Sequence, residues 1–142
     1  MATREASAVW TGGLKDGSGR MKLGSGACEC AYSFGTRFEG EPGSNPEELL
    51  GAAHAGCFSM ALAGALGKSG FKPTEIRTTA RVTIEKQGEG FAVTHIELAT
   101  EASIPNIDDA EFLKHAMAAK DNCPVSRALA SVKIDLKAKL LR

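Results

Sequence analysis

Apolar and polar positions alternate most clearly along TEIRTTARVTIEKQ (74–87) and FAVTHIELATEASIP (91–105), which flank the turn QGEG. A period of two interrupted by turn residues marks a long hairpin with one buried face, and it is the main sheet signal in the chain. Shorter Gly-bounded segments around Trp10 and from Met21 to Leu23 predict an N-terminal hairpin. AYSFGTRFEGE (31–41) predicts a third strand running into a loop that EPGSNP closes. The period then changes. NPEELLGAAHAGCFSMAL (45–62) begins with Asn45 as cap, Pro46 as first helical residue and Glu48 three beyond the cap, and predicts a helix ending near Gly67 or Gly70. DDAEFLKHAMAAKDN (108–122) brings Phe112, Leu113, Ala116 and Met117 onto one stripe. CPVSRALA starts a short helix, and VKIDLKAKL ends the chain as an alternating strand. Strands, a helix, strands and helices in this order predict an α+β fold in one domain spanning residues 1–142, with no repeat, low-complexity stretch or linker.

The first long helix is unusual. Gly51, Ala52, Ala53, Ala55, Gly56, Ala61, Ala63, Gly64 and Ala65 leave it few large side chains, although each Gly inside a helix costs ~1 kcal/mol relative to Ala. Such a surface predicts the close approach of another element. Polar groups are confined to its start, His54 and Ser59, so the helix is expected to be buried all round. In so small a chain that burial is most simply completed by a second copy, which predicts a homodimer.

Composition removes several classes of function. The chain has 142 residues, of which 43% are hydrophobic and 24% charged, and its formal net charge is zero. Without a Lys/Arg run there is no electrostatic footprint for nucleic acid or an acidic membrane. The start MATREASAVW lacks a basic region followed by an apolar core, and no apolar run approaches the ~18 residues of a membrane span. A cytoplasmic protein is expected. Four cysteines in a reducing compartment do not predict a disulfide framework, and their spacing contains no double CxxC of the structural zinc type.

Two of these thiols stand in contrasting local sequence. Cys57 lies about three turns into its helix, beyond the reach of the first-turn dipole, so its own helix does not activate it. Cys123 is bracketed by Asn122 and Pro124, where a helix N-terminus offers free N–H groups that stabilise a thiolate. Local physics alone nominates Cys123 as the better nucleophile.

Three co-linear motifs add a further argument. GTRFEGE (35–41), NPEELLGAAHAGCFSMAL (45–62) and NCPVSRAL (122–129) resemble, in order and spacing, the OsmC branch of the OsmC/Ohr family of thiol-dependent organic hydroperoxide reductases. The resemblance implies an OsmC-like α+β fold, with antiparallel sheets packed around a central buried helix in an intertwined homodimer. It implies peroxidase chemistry in stress defence: Cys57 attacks, Cys123 resolves the sulfenic acid as a disulfide, and Arg37 and Glu47 complete the catalytic set. It also implies an organic hydroperoxide substrate, a dithiol reductant of the lipoyl type, and no metal, flavin or nucleotide cofactor.

Chemistry is consistent with these roles. An attacking thiol needs a cation or N–H groups to become thiolate near neutrality. Arg37, on the strand or loop before the helix, is the candidate cation, and Glu47 would hold it by a bidentate pair. Glu47 and Cys57 are ten residues apart, or ~15 Å along a straight helix, so they cannot directly share one arginine. A partner helix running antiparallel would solve this, with Arg37 and Glu47 drawn from the other subunit; a bend before the helix is the alternative. Phe34, Phe38, Phe58 and Met60 are close in sequence to Arg37 or Cys57 and are candidates to line an apolar substrate pocket, favouring alkyl or lipid hydroperoxides over hydrogen peroxide.

Other residues have plainer expected roles. His54 lies one turn before Cys57 and is expected to be a packed helix histidine, with tuning of Cys57 the alternative. Ser126 and Arg127 are expected to serve the short helix alone. Cys28 and Cys30 form a C-x-C near a strand, outside the matched motifs, where a metal or redox pair is conceivable; His54, His95 and His115 show no spacing that would complete a zinc site. A thiol redox sensor or a non-catalytic metal-binding dimer are the competing functions, and peroxide turnover with a dithiol separates them from a peroxidase.

Overall fold

The computed structural model of the chain describes residues 1–142. They form two compact units, Met1–Leu49 and Leu50–Arg142. In the first, β1 (Ala6–Thr11), β2 (Ser18–Leu23) and β3 (Glu29–Tyr32) make an antiparallel sheet in the order β1-β2-β3. Its register puts Gly19 between Trp10 and Tyr32, whose rings lie 5.4 Å apart. A Cβ on Gly19 would come within 2.6 Å of Tyr32 and 2.7 Å of Trp10. Glycine is therefore required for the two aromatics to close over the sheet.

The segment after β3 differs from the expected loop. Ser33 and Thr36 form a reciprocal capping box that nucleates a short helix, α1 (Phe34–Phe38), so Arg37 is carried on a helical turn. The long helix α2 (Pro46–Lys68) begins as predicted, with the Glu48 N–H donating to the Asn45 side chain at 2.8 Å. It ends in a paired closure around Gly70 at φ 84°: Phe71 N–H donates to Leu66 O at 2.9 Å and Gly70 N–H to Gly67 O at 3.1 Å.

In the second unit, α2 packs on a sheet of β4 (Glu75–Gln87), β5 (Gly90–Ser103) and β6 (Lys133–Leu141), in the order β4-β5-β6. The expected hairpin is present, with a register shift between Thr83 and Ile84. The sheet is mixed, which corrects the expectation of purely antiparallel sheets: β6 runs parallel to β5. The crossover through α3 (Asp109–Asn122) and α4 (Pro124–Ala128) brings the chain back in the same direction. The core joins Phe58, Leu62 and Leu66 of α2 to Ile96, Leu98 and Ala102 of β5 and to Phe112, Ala116 and Ala119 of α3. On α3 the buried stripe is thus Phe112, Ala116 and Ala119, while Leu113 and Met117 are exposed.

Within this chain α2 is not buried on every side. Gly51, His54, Phe58, Leu62 and Leu66 face inward, and Ala52, Ala53, Gly56, Met60, Gly64 and Gly67 are exposed. The sheet covers one face only. Of the helical glycines, Gly51 has a close neighbour, with Val82 3.3 Å from the position of an added Cβ, whereas Gly56 and Gly64 face open space. At 23 residues α2 is also long and apolar enough to cross a membrane, contrary to the expectation that no stretch approaches that length. Its Phe58, Leu62 and Leu66 stripe lies in the core of this unit, which makes it a core helix.

Candidate active site

Cys57 projects from α2 at the border between its buried and open faces and is half-buried. Cys123 is completely buried. Its backbone closes α3, donating to Ala119 O at 2.9 Å, and simultaneously caps α4, whose Ser126 N–H donates to Sγ at 3.4 Å. The helix-breaking Pro124 forces this junction: it suits the first position of a new helix and cannot continue the old one. The two sulfurs are 3.1 Å apart and not bonded.

Their surroundings split the pair electrically. Burial pushes the Cys57 thiol up, and the Val125 N–H only partly offsets this, while the neighbouring Cys123 thiol raises it further. Burial also raises Cys123, but the Ser126 N–H, the Cys57 thiol, the Ser126 hydroxyl and the Val125 N–H together bring it below the usual thiol value. Within this unit the shared proton belongs on Cys57 and negative charge on Cys123. Access runs the other way, since a molecule from solvent meets Cys57 first.

Ser126, expected from the sequence to serve the short helix alone, has further contacts. It is buried, and its Oγ lies 2.7 Å from Nε2 of His54, which is itself fully buried. Burial lowers the His54 pKa, so the imidazole is neutral near pH 7. Its Nδ1 is buried without a partner. His54, Ser126, Cys123 and Cys57 thus form a continuous polar thread through an apolar core. The signal available in the sequence was spacing: His54 precedes Cys57 by three residues and Ser126 follows Cys123 by three. Nothing in the sequence said that the two helical turns would meet.

Arg37 and Glu47 are brought together in the N-terminal unit. Arg37 Nη2 and Nε donate to Glu47 Oε1 at 2.7 and 3.0 Å, and Nε also reaches Oε2 at 3.2 Å. The carboxylate side chain is only 10% exposed. This multiple contact fixes the guanidinium plane against an acid that has little water to compete for it. The Arg37 guanidinium also stacks on Phe38, 5.1 Å from the ring centre. Phe34 packs on Phe38 with ring centres 5.0 Å apart. Arg37, Phe34 and Phe38 line a cavity of about 270 Å³ with Trp10, Leu14 and Tyr32.

The four candidate pocket residues therefore fall in different settings. Phe34 and Phe38 flank Arg37 in that cavity. Phe58 is sealed in the core at 0% exposure, whereas Met60 is fully open to solvent. Two residues apart on a helix, they point to opposite faces and do not share a wall within one chain.

The family model for OsmC-like proteins matches residues 38–137. The chain is 48% identical over 138 residues to Peroxiredoxin OsmC of Escherichia coli strain K12, covering 96% of each chain. It is 27% identical to Organic hydroperoxide resistance protein-like 1 of Staphylococcus saprophyticus, over 93% of this chain and 92% of that protein. Among solved structures, an organic hydroperoxide resistance protein from Elizabethkingia anophelis has a TM-score of 0.76 at 27% identity, over 99% of this chain and 98% of that one. An OsmC-like protein from Mycoplasma pneumoniae shares the fold at a TM-score of 0.77 and 15% identity, over 99% of both chains.

Proposed function

Because this chain belongs to the OsmC-like protein family, we infer that it is a thiol-dependent peroxidase that reduces organic hydroperoxides to alcohols. The reading takes residues 1–142 as one OsmC-like domain acting in the cytoplasm. The Cys57 thiolate attacks one peroxide oxygen, the O–O bond breaks, and the departing alkoxide is protonated to the alcohol. Cys57 is left as a sulfenic acid. Cys123 sulfur then attacks Cys57 sulfur, water leaves, and a disulfide forms. A dithiol, of the lipoyl type by family resemblance, attacks that disulfide and restores both thiols at the cost of its own oxidation. Each turn of the cycle balances as one hydroperoxide and one dithiol converted to alcohol, water and disulfide. No cofactor takes part.

The observation that carries this reading is the 3.1 Å approach of an accessible Cys57 to a sealed Cys123. Oxidant reaches the first thiol, and the second is already in place to condense with the product. The polarised Cys123 is also a good leaving thiolate when reductant attacks at Cys57. Arg37, oriented by Glu47, is the cation assigned to lower the Cys57 pKa and to receive the developing negative charge on the peroxide oxygen. Phe34 and Phe38 beside Arg37 favour an alkyl or lipid chain over hydrogen peroxide.

The working form is a homodimer. The open small-residue face of α2 supports this, since its glycines admit a second backbone without displacing side chains. Glu47 stands ten residues before Cys57 on the same uninterrupted helix, ~15 Å along its axis. The Arg37 and Glu47 that serve each Cys57 are accordingly assigned to the opposite subunit.

Intact-mass and peptide analysis after one equivalent of cumene hydroperoxide tests the cycle. Wild type is expected to carry a Cys57–Cys123 disulfide, and Cys57→Ser to lose the peroxide turnover that passes through it. Absence of that disulfide overturns the mechanism, and sulfenic acid on Cys123 in Cys57→Ser reverses the roles.

A further inference from the structure

The N-terminal sheet carries a second pair of thiols that the peroxide cycle does not use. Cys28 and Cys30 are separated by one residue, and alternate positions of an extended strand face the same side. Their sulfurs lie 2.6 Å apart, both are half-buried, and neither is in a disulfide. The intervening Glu29 turns outward to pair with Arg20 at 3.1 Å. The backbone is pinned on both sides of the pair: Leu23 N–H donates to Cys28 O at 3.0 Å, and Cys30 is in register with Met21. The Cys28 thiol is pushed up chiefly by its hydrogen bond to Cys30.

A cavity opens over the same two sulfurs. It measures about 330 Å³ and is otherwise lined mainly by Ala6, Ala8, Met21, Leu23 and Leu49. This is the small end of the range for ligand pockets and is apolar in character. The family model's match begins at residue 38, so both thiols of this pair precede the matched segment.

We propose that Cys28 and Cys30 form a second redox-active centre, a dithiol that an organic hydroperoxide closes to a disulfide and a small aliphatic thiol seated in the cavity reopens. In closing, one of the two sulfurs takes one peroxide oxygen, the O–O bond breaks, and the alkoxide leaves to become alcohol. The other sulfur then displaces hydroxide from that sulfenic acid. The hydroxide leaves as water with the second thiol's proton. In reopening, an external thiolate attacks one sulfur of the bridge and forms a mixed disulfide, and a second external thiolate releases it. The pair regains two thiols, and the external thiols leave joined as their disulfide. A bridge across a single intervening residue gains little from loop closure, so it exchanges readily with small thiols.

The test uses the full chain carrying Cys57→Ser and Cys123→Ser, which removes the first centre and leaves the second intact. After one equivalent of cumene hydroperoxide, alkylation and peptide mapping should find a Cys28–Cys30 bridge within one chain and no free thiol. Propanethiol should then reopen it about tenfold faster than glutathione at equal thiolate concentration, the effect of burying about two methylene groups. Leu23→Glu should erase that preference. Wild type treated with excess hydroperoxide should show two separate bridges, which keeps the result readable if the double variant folds poorly. Two alkylatable thiols after oxidation, bridges between chains, or equal reopening rates with both thiols would overturn the proposal. A wild type with the Cys57–Cys123 bridge alone would remove this second centre and leave the peroxide cycle standing.

Discussion

Cys57 and Cys123 touch across two elements, and Cys28 and Cys30 touch at the entry to one strand, yet only the first pair is asymmetric. Cys123 is sealed under the start of α4 and surrounded by N–H and hydroxyl donors, while Cys57 is half-open and has burial working against its charge. Cys28 and Cys30 share one edge, one cavity and similar exposure. The difference teaches that proximity supplies a disulfide, whereas unequal environments supply a division of labour. One thiol is reached and the other is poised. A symmetric pair can be oxidised and reduced but has less to direct which sulfur meets which reagent.

The largest expected effect tests what raises Cys57 to the level of its task. Arg37→Met should slow sulfenic acid formation at neutral pH by about 100-fold, the scale of losing one donor to a developing oxyanion. Burial pushes Cys57 up, so its thiolate fraction rises with pH, and alkaline conditions should recover only the thiolate part of that loss. Mixing Arg37→Met with Cys57→Ser subunits and allowing exchange should restore up to about a quarter of wild-type activity if sites are shared between subunits. Exchange seen by mass with no regained turnover would place Arg37 in its own subunit's site.

A smaller change should weaken the asymmetry from the Cys123 side. Ser126→Ala removes the hydroxyl that favours charge on Cys123, so reduction of the Cys57–Cys123 bridge should slow by about tenfold, the value of a hydrogen bond to a charged group. The rate of Cys57 oxidation by peroxide should stay within about twofold, because that step does not need Cys123 as a thiolate. Stopped-flow measurement of the two half-reactions separates them, and Ser126→Thr should recover the loss. Equal slowing of both halves would mean that Ser126 only maintains the fold.

The smallest effect concerns stability. Burial lowers the His54 pKa, while in the unfolded chain it stands near ~6.5. Below that value the unfolded state binds a proton that the folded state resists, so His54 makes stability fall as pH drops from about 6.5 toward its folded value. Urea midpoints at pH 7.5 and 5.5 should differ less in His54→Gln than in wild type. An unchanged difference would show that the imidazole is not the group responsible.

Much of this architecture was legible in local pattern. Period-two alternation marked β4, β5 and β6, the Asn45-Pro46 start marked α2, and Pro124 marked the break that makes Cys123 a cap. These depend on a residue and its near neighbours, so the sequence determined them by itself. The helical turn carrying Arg37 was hidden because a two-residue capping box, Ser33 with Thr36, is weaker in pattern than the strand before it. The parallel pairing of β6, the 3.1 Å meeting of Cys57 and Cys123, the contact of His54 with Ser126 and the inward burial of Phe58 against the outward Met60 were decided only in three dimensions. Each joins elements separated in the chain or sorts a helix whose two faces are almost equally apolar. Where the apolar pattern has no preferred side, the packing of the sheet chooses which side is buried.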